Sequence, residues 1–200
     1  MSLYNQTNEI PIKPTPVIGM VGSNQDLKKI NSNKFCNIGN KILILGKQLE
    51  KNLSPYLLQD QNLASNINDF NDLEELDLDY EKKVADCVLK MSDFKYIMSC
   101  NDISRGGVFL SLLKMQYKDM GFKVNMPDPI DLFCEYSAGY VIEIRNEDLN
   151  NVTSFLSKNG VGYFEIGEII RKNIEINSKK FDYFDTVSYT HLRAHETHSN

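Results

Sequence analysis

The chain lacks the features that mark secreted, membrane-spanning and nucleic-acid-binding proteins. Its four cysteines form no C-x-x-C pair and its start carries no secretory signal, so we expect a reduced, cytoplasmic protein. No apolar run approaches the roughly 20 residues that a bilayer helix needs, and no membrane partner is expected. Lysine and arginine number 22 against 27 acidic residues. The net charge of -5 and the scattered lysines therefore argue against nucleic acid as a partner.

Histidine is missing from most of the chain, because His191, His195 and His198 all lie in the last ten residues. His191 and His195 are four apart, a spacing that places two imidazoles on one face of a helix, as a metal site requires. However, the segment VSYTHLRAHET matches one translated frame of a transposase sequencing adapter over eleven consecutive residues. We therefore predict that residues 187–200 are a disordered foreign tail, and no metal site is expected there.

A hydrophobic content of 42% in 200 residues is enough for one good core. The opening residues contain Pro11, Pro14 and Pro16, and they predict two short strands, in SLYNQTN and TPVIGMVG, joined by a proline-stiffened link. The uninterrupted apolar run 42–45 predicts a strand covered on both faces. The polar stretch 48–75 predicts a short helix, starting near Ser54-Pro55, and a loop.

Helical periodicity begins at Leu76, where an apolar face is opposed by polar side chains. The predicted apolar face comprises Leu76, Tyr80, Val84, Cys87, Val88 and Met91, and the polar face carries Glu81, Lys82 and Asp86. A strand is predicted over 95–100, followed by a helix with Ser104 as N-cap. Its predicted core-facing residues are Val108, Leu112, Met115 and Met120, with Gly121 as terminator.

Further along, a strand is predicted after Gly139 and an amphipathic helix over 147–158, closed by Asn159-Gly160. The segments VGYFEIGEII and NIEIN predict a closing hairpin. Because strands and helices alternate, the predicted fold class is α+β, a mixed α/β sheet with helices packed on it.

Several segments, taken together and in order, resemble the second half of the phosphoribosylformylglycinamidine synthase family. They are SLYNQTN, PTPVIGMVG, KILILGK, NDISRGG and LFCEYSAGYVIEI, and they extend over residues 2–177. The corresponding family blocks are G-N-x-S-L-Y-N-E-T-N-G, P-T-P-x-I-G-x-V-G, a strand ending in glycine, H-D-x-S-D-G-G and L-F-x-E. Met1 stands at the variable position of the first block, so its Gly-Asn pair is not in this sequence. The Leu-Tyr-Asn form is similar to the small synthase, whose glutaminase is a separate subunit.

The resemblance implies three segments. Residues 1–24 would be the last strands of a truncated ATP-binding-type domain, residues 30–186 a domain similar to the C-terminal domain of aminoimidazole ribonucleotide (AIR) synthetase, and residues 187–200 the foreign tail. Ser2 would contact substrate. The family's catalytic histidines and magnesium-binding acids belong to the absent first half, so the resemblance implies no catalytic residue, no metal and no activity in this fragment alone.

The resemblance also implies a reaction and partners for the full-length parent. That enzyme would use ATP and magnesium to convert formylglycinamide ribonucleotide to the amidine, in de novo purine biosynthesis. Its protein partners would be a glutaminase subunit and a small bridging subunit. Two alternatives stay open. One is another ATP-using member of the superfamily, such as AIR synthetase or selenophosphate synthetase, and the other is a non-catalytic interaction domain.

The segment NDISRGG holds the candidate phosphate loop, Asp102, Ser104, Gly106 and Gly107. Backbone N–H groups at a helix start favour an anion, but glycines there also permit close packing of helix against strand. The loop departs from the family, because Asn101 stands in place of histidine and Arg105 in place of an aspartate. Gln6, Glu9 and Gly139 are further departures.

Two other sets of residues could carry chemistry. Asp128, Asp131 and Glu135 form an acidic cluster, which is typical of a magnesium site but equally of a solvated turn. Glu135 could bind a ligand hydroxyl or cap the neighbouring backbone, and we favour the cap. Cys87 and Cys100 fall on apolar faces and are expected to be core residues rather than nucleophiles.

Overall fold

The structure is a computed structural model that describes residues 5–7, 10–12, 19, 21–23, 26, 30–47, 77–104, 106–134 and 138–181. The chain divides into two units, residues 1–30 and 31–200. In the first unit, β1 (Asn5–Thr7) pairs antiparallel with β2 (Ile10–Ile12), with Asn5 opposite Ile12. The predicted first strand is confirmed, but β2 contains Pro11 and lies in the predicted link. The predicted second strand lies largely outside the described residues.

The second unit contains the main sheet and its helices. Its strands are β3 (Lys41–Leu45), β4 (Ile97–Asp102), β5 (Met120–Val124), β6 (Tyr140–Ile144), β7 (Tyr163–Arg171), β8 (Ile174–Ile176) and β9 (Lys179–Phe181). Its α-helices are α1 (Leu78–Asp93), α2 (Gly107–Met115) and α3 (Leu149–Lys158), and Pro129–Phe133 and Asn146–Asp148 form 3-10 turns.

The seven strands of this unit lie in the order β4-β6-β3-β7-β5-β8-β9 among the described residues. Every neighbouring pair is antiparallel except β5 and β8, which are parallel. Strands therefore alternate with helices along the chain but pair mostly antiparallel, which confirms the predicted α+β class.

The sheet separates two hydrophobic cores, because successive residues of β3 point to opposite faces. Ile42 and Ile44 pack in the core that α2 covers, whereas Leu43 and Leu45 pack in the core that α1 and α3 cover. All four side chains are at most 1% exposed. The predicted strand covered on both faces is confirmed, and β3 forms the centre of the domain.

Helix α1 confirms the predicted helical periodicity. Asp77 caps it, since its Oδ1 accepts a hydrogen bond from the Tyr80 backbone N–H at 2.9 Å. Val84, Cys87 and Met91 are buried in the core beneath it. Leu76 and the predicted short helix near Ser54 lie outside the described residues.

The predicted end of α2 is wrong. Residues Met120 and Gly121 lie in β5, and the helix ends at Met115 because Gln116 adopts an extended backbone with ψ 141°. Val108, Leu112 and Met115 face the core as predicted, and Met120 reaches the same core from β5. Gly121 does not terminate a helix. Any Cβ there would overlap the Asn173 carbonyl, so glycine is required for that close approach.

The predicted closing hairpin is also wrong, because β5 lies between β7 and β8. After β7 the chain passes the start of β5, where the Lys172 N–H donates to the Asp119 carbonyl and the Asn173 carbonyl accepts from the Phe122 N–H. It then runs parallel to β5 and turns back into β9. The strand that separates β7 from β8 is β5, whose first two residues were predicted to end α2.

The remaining predicted elements are found close to their expected positions. Strand β4 starts two residues later than predicted, and β6 follows Gly139 as expected. Helix α3 ends at Lys158, with Gly160 at φ 65°, as the Asn-Gly signal indicated. Among the described residues, no helix has the length and apolar character needed to cross a bilayer.

Candidate functional site

Several chain turns converge at one end of the main sheet, which we call the loop end. Here β3 and β4 finish and β6 and β7 begin. The Gly46 N–H donates to the Gly162 carbonyl at 3.0 Å, and the Ile103 N–H donates to the Gly139 carbonyl at 2.9 Å. The Tyr80 hydroxyl accepts from the Gly162 N–H at 3.1 Å, so the first turn of α1 belongs to the same end. The candidate phosphate loop therefore lies among backbone turns rich in glycine.

The candidate phosphate loop connects β4 to α2. Strand β4 ends at Asp102, and the Ser104 carbonyl accepts from the Gly107 N–H at 2.9 Å. Gly106 and Gly107 both adopt left-handed backbones, with φ 82° and 67°. The prediction that Ser104 caps α2 is wrong, because this two-residue turn places Gly106 at the N-cap position and no side chain caps the helix.

Close packing explains why glycine stands at these two positions. A Cβ on Gly107 would lie 2.6 Å from the Cys134 carbonyl oxygen and 2.6 Å from the Phe133 carbonyl carbon. A Cβ on Gly106 would lie 2.9 Å from the side chain of Leu110, which is flexible. Gly107 therefore lets α2 start directly against the 3-10 turn at 129–133, which favours the structural interpretation of this pair.

Asp102 and its neighbours form the side-chain part of the loop. The Asp102 carbonyl accepts from the buried Ser111 hydroxyl at 2.7 Å and from the Asn101 side-chain amide at 3.0 Å. Asp102 itself is an exposed residue. Asn101, at the family's histidine position, thus serves a local backbone bond, and Asp102 is the group that a ligand can reach.

Two groups at this end have raised pKa values. Burial, together with the charge of Asp102, raises the pKa of Cys100 to about 12. Burial also raises the pKa of Tyr140, with added contributions from Cys100, Glu81 and Asp102. Both shifts favour the neutral forms, so neither group is an anionic nucleophile at neutral pH.

The acidic cluster is only partly described. Burial raises the pKa of Asp131, and the nearby Asp128 raises it further. Burial raises the pKa of Cys134, which follows the 3-10 turn, to about 11. Glu135 lies outside the described residues. Within the part of the chain that the structure describes, no three His, Cys, Asp or Glu side chains lie together as a metal ion would require.

The other predicted site residues are distributed as follows. Ser2, Arg105 and the three histidines lie outside the described residues, so their roles stay predictions. Cys87 is 2% exposed in the core, and Cys100 is half-buried beside it, as expected for core cysteines.

Sequence reasoning missed the opposite end of the sheet, which we call the strap end. There the strap, residues 31–40, and the turn at 117–120 line an open cleft of about 650 Å³. Behind the strap lies Glu143, a carboxylate with 0% exposure. One signal was available, since Glu143 interrupts an otherwise apolar strand, YVIEI, whose flanking Ile142 and Ile144 are buried.

Comparison with known proteins identifies a family for most of the second unit. The family described as "AIR synthase related protein, C-terminal domain" matches residues 37–178. The phosphoribosylformylglycinamidine synthase subunit PurL of Pelagibacter ubique is 32% identical over 202 residues, which cover 96% of this chain and 26% of the relative. The chain thus spans about a quarter of the length of the curated relatives it matches.

Solved structures show the same fold. The structure of PurLQS from Thermotoga maritima has a TM-score of 0.63 at 13% identity and covers 78% of this chain and 27% of that chain. Thermotoga maritima PurL complexed with FGAR has a TM-score of 0.62 at 12% identity, over 78% of this chain and 29% of that one. The same protein complexed with ATP has a TM-score of 0.59 at 13% identity, over 78% and 26%.

Proposed function

The chain belongs to the AIR synthase related protein family, through that family's C-terminal domain, and from this premise we propose that it is the C-terminal part of a PurL-type phosphoribosylformylglycinamidine synthase. One observation carries the proposal. The similarity to PurL subunits covers 96% of the chain and so extends beyond residues 37–178, the range of the domain shared with the wider family. It therefore takes in most of the opening stretch, whose Leu-Tyr-Asn block distinguishes this synthase from other members.

The proposed parent reaction has two steps. The amide oxygen of formylglycinamide ribonucleotide is phosphorylated by ATP, and ammonia from glutamine then displaces phosphate to give the amidine. Activation turns a poor leaving oxygen into phosphate, so the protein's contribution is positioning and charge stabilisation. ATP, magnesium, the glutaminase subunit and the bridging subunit are proposed for the full-length parent in the cytoplasm, and Ser2 is the substrate contact proposed in this chain.

The candidate phosphate loop has a narrower proposed role. Asp102, Ser104, Gly106 and Gly107 form a joint that sets α2 against the 129–133 turn, because Gly107 leaves no room for a Cβ. The same joint leaves α2 without a side-chain cap, and the Gly107 N–H already donates to the Ser104 carbonyl. We therefore place any phosphate contact on the helix amides that follow Gly107 rather than on the acidic side chains nearby.

A chimera tests this function. Residues 1–186 would replace the aligned quarter of Pelagibacter ubique PurL, and amidine formation would be measured with ammonia as the nitrogen source, so that no glutaminase is needed. We expect turnover by the chimera and none by the 200-residue chain alone. A chimera that melts in one cooperative transition but forms no amidine would contradict the proposal, and so would turnover by the isolated chain.

Another ATP-using member of the superfamily is the alternative, and a non-catalytic interaction domain is the second. The genomic DNA upstream of the first codon separates the synthase from an interaction domain. An in-frame extension with Gly-Asn directly before Met1 and histidines further upstream supports the synthase. A stop codon followed by a ribosome-binding site supports the interaction domain.

A further inference from the structure

The strap crosses the strap end of the sheet and is tied to three elements. Its backbone bonds are Cys100 N–H to Ser32 O at 2.8 Å, Phe35 N–H to Met115 O at 2.7 Å, Gly39 N–H to Ile169 O at 2.8 Å and Ile169 N–H to Asn40 O at 2.9 Å. Phe35 is buried at 2% exposure, whereas Ile38 is 46% exposed. Apolar burial therefore holds the strap mainly at Phe35, and polar contacts must hold the rest.

Glu143 supplies the central polar contact. Its donors are Cys36 N–H at 2.9 Å and Ser99 Oγ at 2.6 Å to Oε2, and Asn37 N–H at 3.0 Å and Asn40 Nδ2 at 2.7 Å to Oε1. Each carboxylate oxygen thus accepts two hydrogen bonds. Because an ionised carboxylate only accepts and all four partners only donate in this arrangement, the match is complete without a cation among these contacts.

The donors are distributed unequally between elements. Three of the four come from the strap. The fourth, Ser99, comes from β4, which pairs with β6 on the side opposite to β3. A carboxylate placed only to satisfy the sheet would draw its donors from the sheet. Glu143 instead joins a separate segment to β6 and to the edge strand β4, over a bond set that no apolar side chain could provide.

We infer that Glu143 is a latch that holds the strap closed on the sheet, and that the strap opens as a local unit when this acceptor is lost. The inference is independent of the proposed ligase function. Since residues 34–38 form one wall of the 650 Å³ cleft, the latch also sets the shape of that cleft. Opening would separate Cys36, whose Sγ lies 3.4 Å from the Met98 carbonyl, from β4.

Amide hydrogen exchange of the full 200-residue chain, read residue by residue by NMR, tests the latch. Glu143→Gln keeps the side-chain size but replaces one acceptor oxygen with a donor that faces two donors. We expect exchange at Cys36 and Asn37 to accelerate by about 100-fold, because local opening is separable from global unfolding. Exchange in β5 and β7 should change less than about twofold, except at Ile169, whose N–H donates to the strap's Asn40 carbonyl. The matched control is Glu165→Gln, since Glu165 lies on β7 with its side chain 40% exposed.

A second readout uses the cysteines as internal reporters. Maleimide labelling of Cys36 should accelerate in Glu143→Gln, while labelling of Cys87, which is 2% exposed under α1, should not change. If Glu143→Gln does not fold, Asn40→Ala removes one strap donor and leaves the carboxylate in place. About tenfold faster exchange at Cys36 and Asn37 alone would then support the latch.

Two results would overturn the inference. Unchanged exchange at Cys36 and Asn37 in the Glu143→Gln chain, or in Asn40→Ala if the first variant does not fold, would show that the carboxylate does not hold the strap. Equal acceleration over the strap and the whole sheet would show that Glu143 stabilises the domain generally and that the strap is no separate unit.

Discussion

The two ends of the main sheet are held together by different kinds of contact. The loop end is assembled from backbone, with Gly46, Gly107 and Gly162 permitting carbonyl groups to approach where a Cβ would not fit comfortably. The strap end also has backbone bonds, but its centre is one side chain, Glu143, which accepts four hydrogen bonds inside the protein. The difference teaches that the first end depends on glycines at close backbone contacts and the second on a single buried carboxylate.

The strap end also contains a contrast within itself. Glu143 is fully partnered, but Gln116, which is 1% exposed after the end of α2, has neither its Nε2 nor its Oε1 hydrogen-bonded. A buried amide without partners costs roughly 1–3 kcal/mol, while the four donors to Glu143 offset part of the cost of burying its carboxylate. The contribution of a buried polar group to stability therefore depends on its hydrogen-bond partners.

The largest expected effect comes from removing the Glu143 carboxylate. Glu143→Ala should lower the free energy of unfolding by about 4 kcal/mol or more, because four donors lose their acceptor and a void remains. Urea denaturation at pH 7 measures it, with Glu165→Ala on the exposed face of β7 as control, expected to cost less than about 0.5 kcal/mol. A loss below about 1 kcal/mol for Glu143→Ala would show that the strap end does not depend on side chains.

Next in size is the glycine joint of the loop end. Gly107→Ala should cost about 3 kcal/mol, as the sum of a left-handed backbone and overlap with the 132–134 backbone. Gly160→Ala is the matched control, since Gly160 has φ 65° but nothing within 4 Å of a Cβ, and it should cost about 1 kcal/mol. Thermal or urea unfolding compares them. Equal losses would mean that backbone conformation, and not close packing, requires glycine at 107.

Alkaline pH should weaken the loop end next. Burial raises the pKa of Cys100 to about 12 and that of Cys134 to about 11, from an ordinary value of 9.0. The folded chain therefore keeps protons that the unfolded chain releases above pH 9, so stability falls as pH rises from about 9 towards 11 or 12. We expect about 2 kcal/mol less stability at pH 10 than at pH 8. Cys100→Ala should remove about half of this loss, because Cys134 keeps its own contribution, and an unchanged slope in that variant would refute the assignment.

The smallest expected effect has the opposite sign. Gln116→Leu should raise the free energy of unfolding by about 1 kcal/mol, because the variant removes two buried polar atoms that have no partner. The same urea series measures it, and Gln116→Ala, which leaves a void, serves as control and should not stabilise. A clear destabilisation by leucine would indicate that the amide is hydrogen-bonded in solution.

Much of the fold could be predicted because the signals are local. The apolar run at 42–45 reflects burial on both faces of a strand, and the periodicity over 78–93 reflects burial on one face of a helix. The Asn-Gly end of α3 reflects a left-handed turn. Strand β5 had a local signal that the helix prediction overlooked. Met120, Phe122 and Val124 alternate with Gly121 and Lys123, and Met120 lies five residues after Met115, which breaks the helical spacing. The position of β5 between β7 and β8 has no such signal. The predicted hairpin failed for the same reason.

The same distinction between local signals and distant contacts applies to the candidate site. NDISRGG could be identified as a strand-to-helix loop, because a glycine pair after a polar strand end is a sequence signal. That Gly107 meets the Phe133 and Cys134 backbone depends on a segment distant in sequence. Sequence reasoning missed the Glu143 latch, since no sequence pattern links Glu143 to its donors at 36, 37, 40 and 99.

By itself, then, the sequence determined the α+β class, the central strand β3, helices α1 and α3, and the resemblance to the synthase family, because each rests on neighbouring residues or on ordered blocks. The tertiary structure decided the position of β5 between β7 and β8, the packing role of Gly107 and the closure of the strap by Glu143. These depend on hydrogen bonds and close contacts between residues far apart in the chain. Such contacts are specified only when the sheet has formed, because hydrogen bonds and steric fit act over a few ångströms of space and not along the sequence.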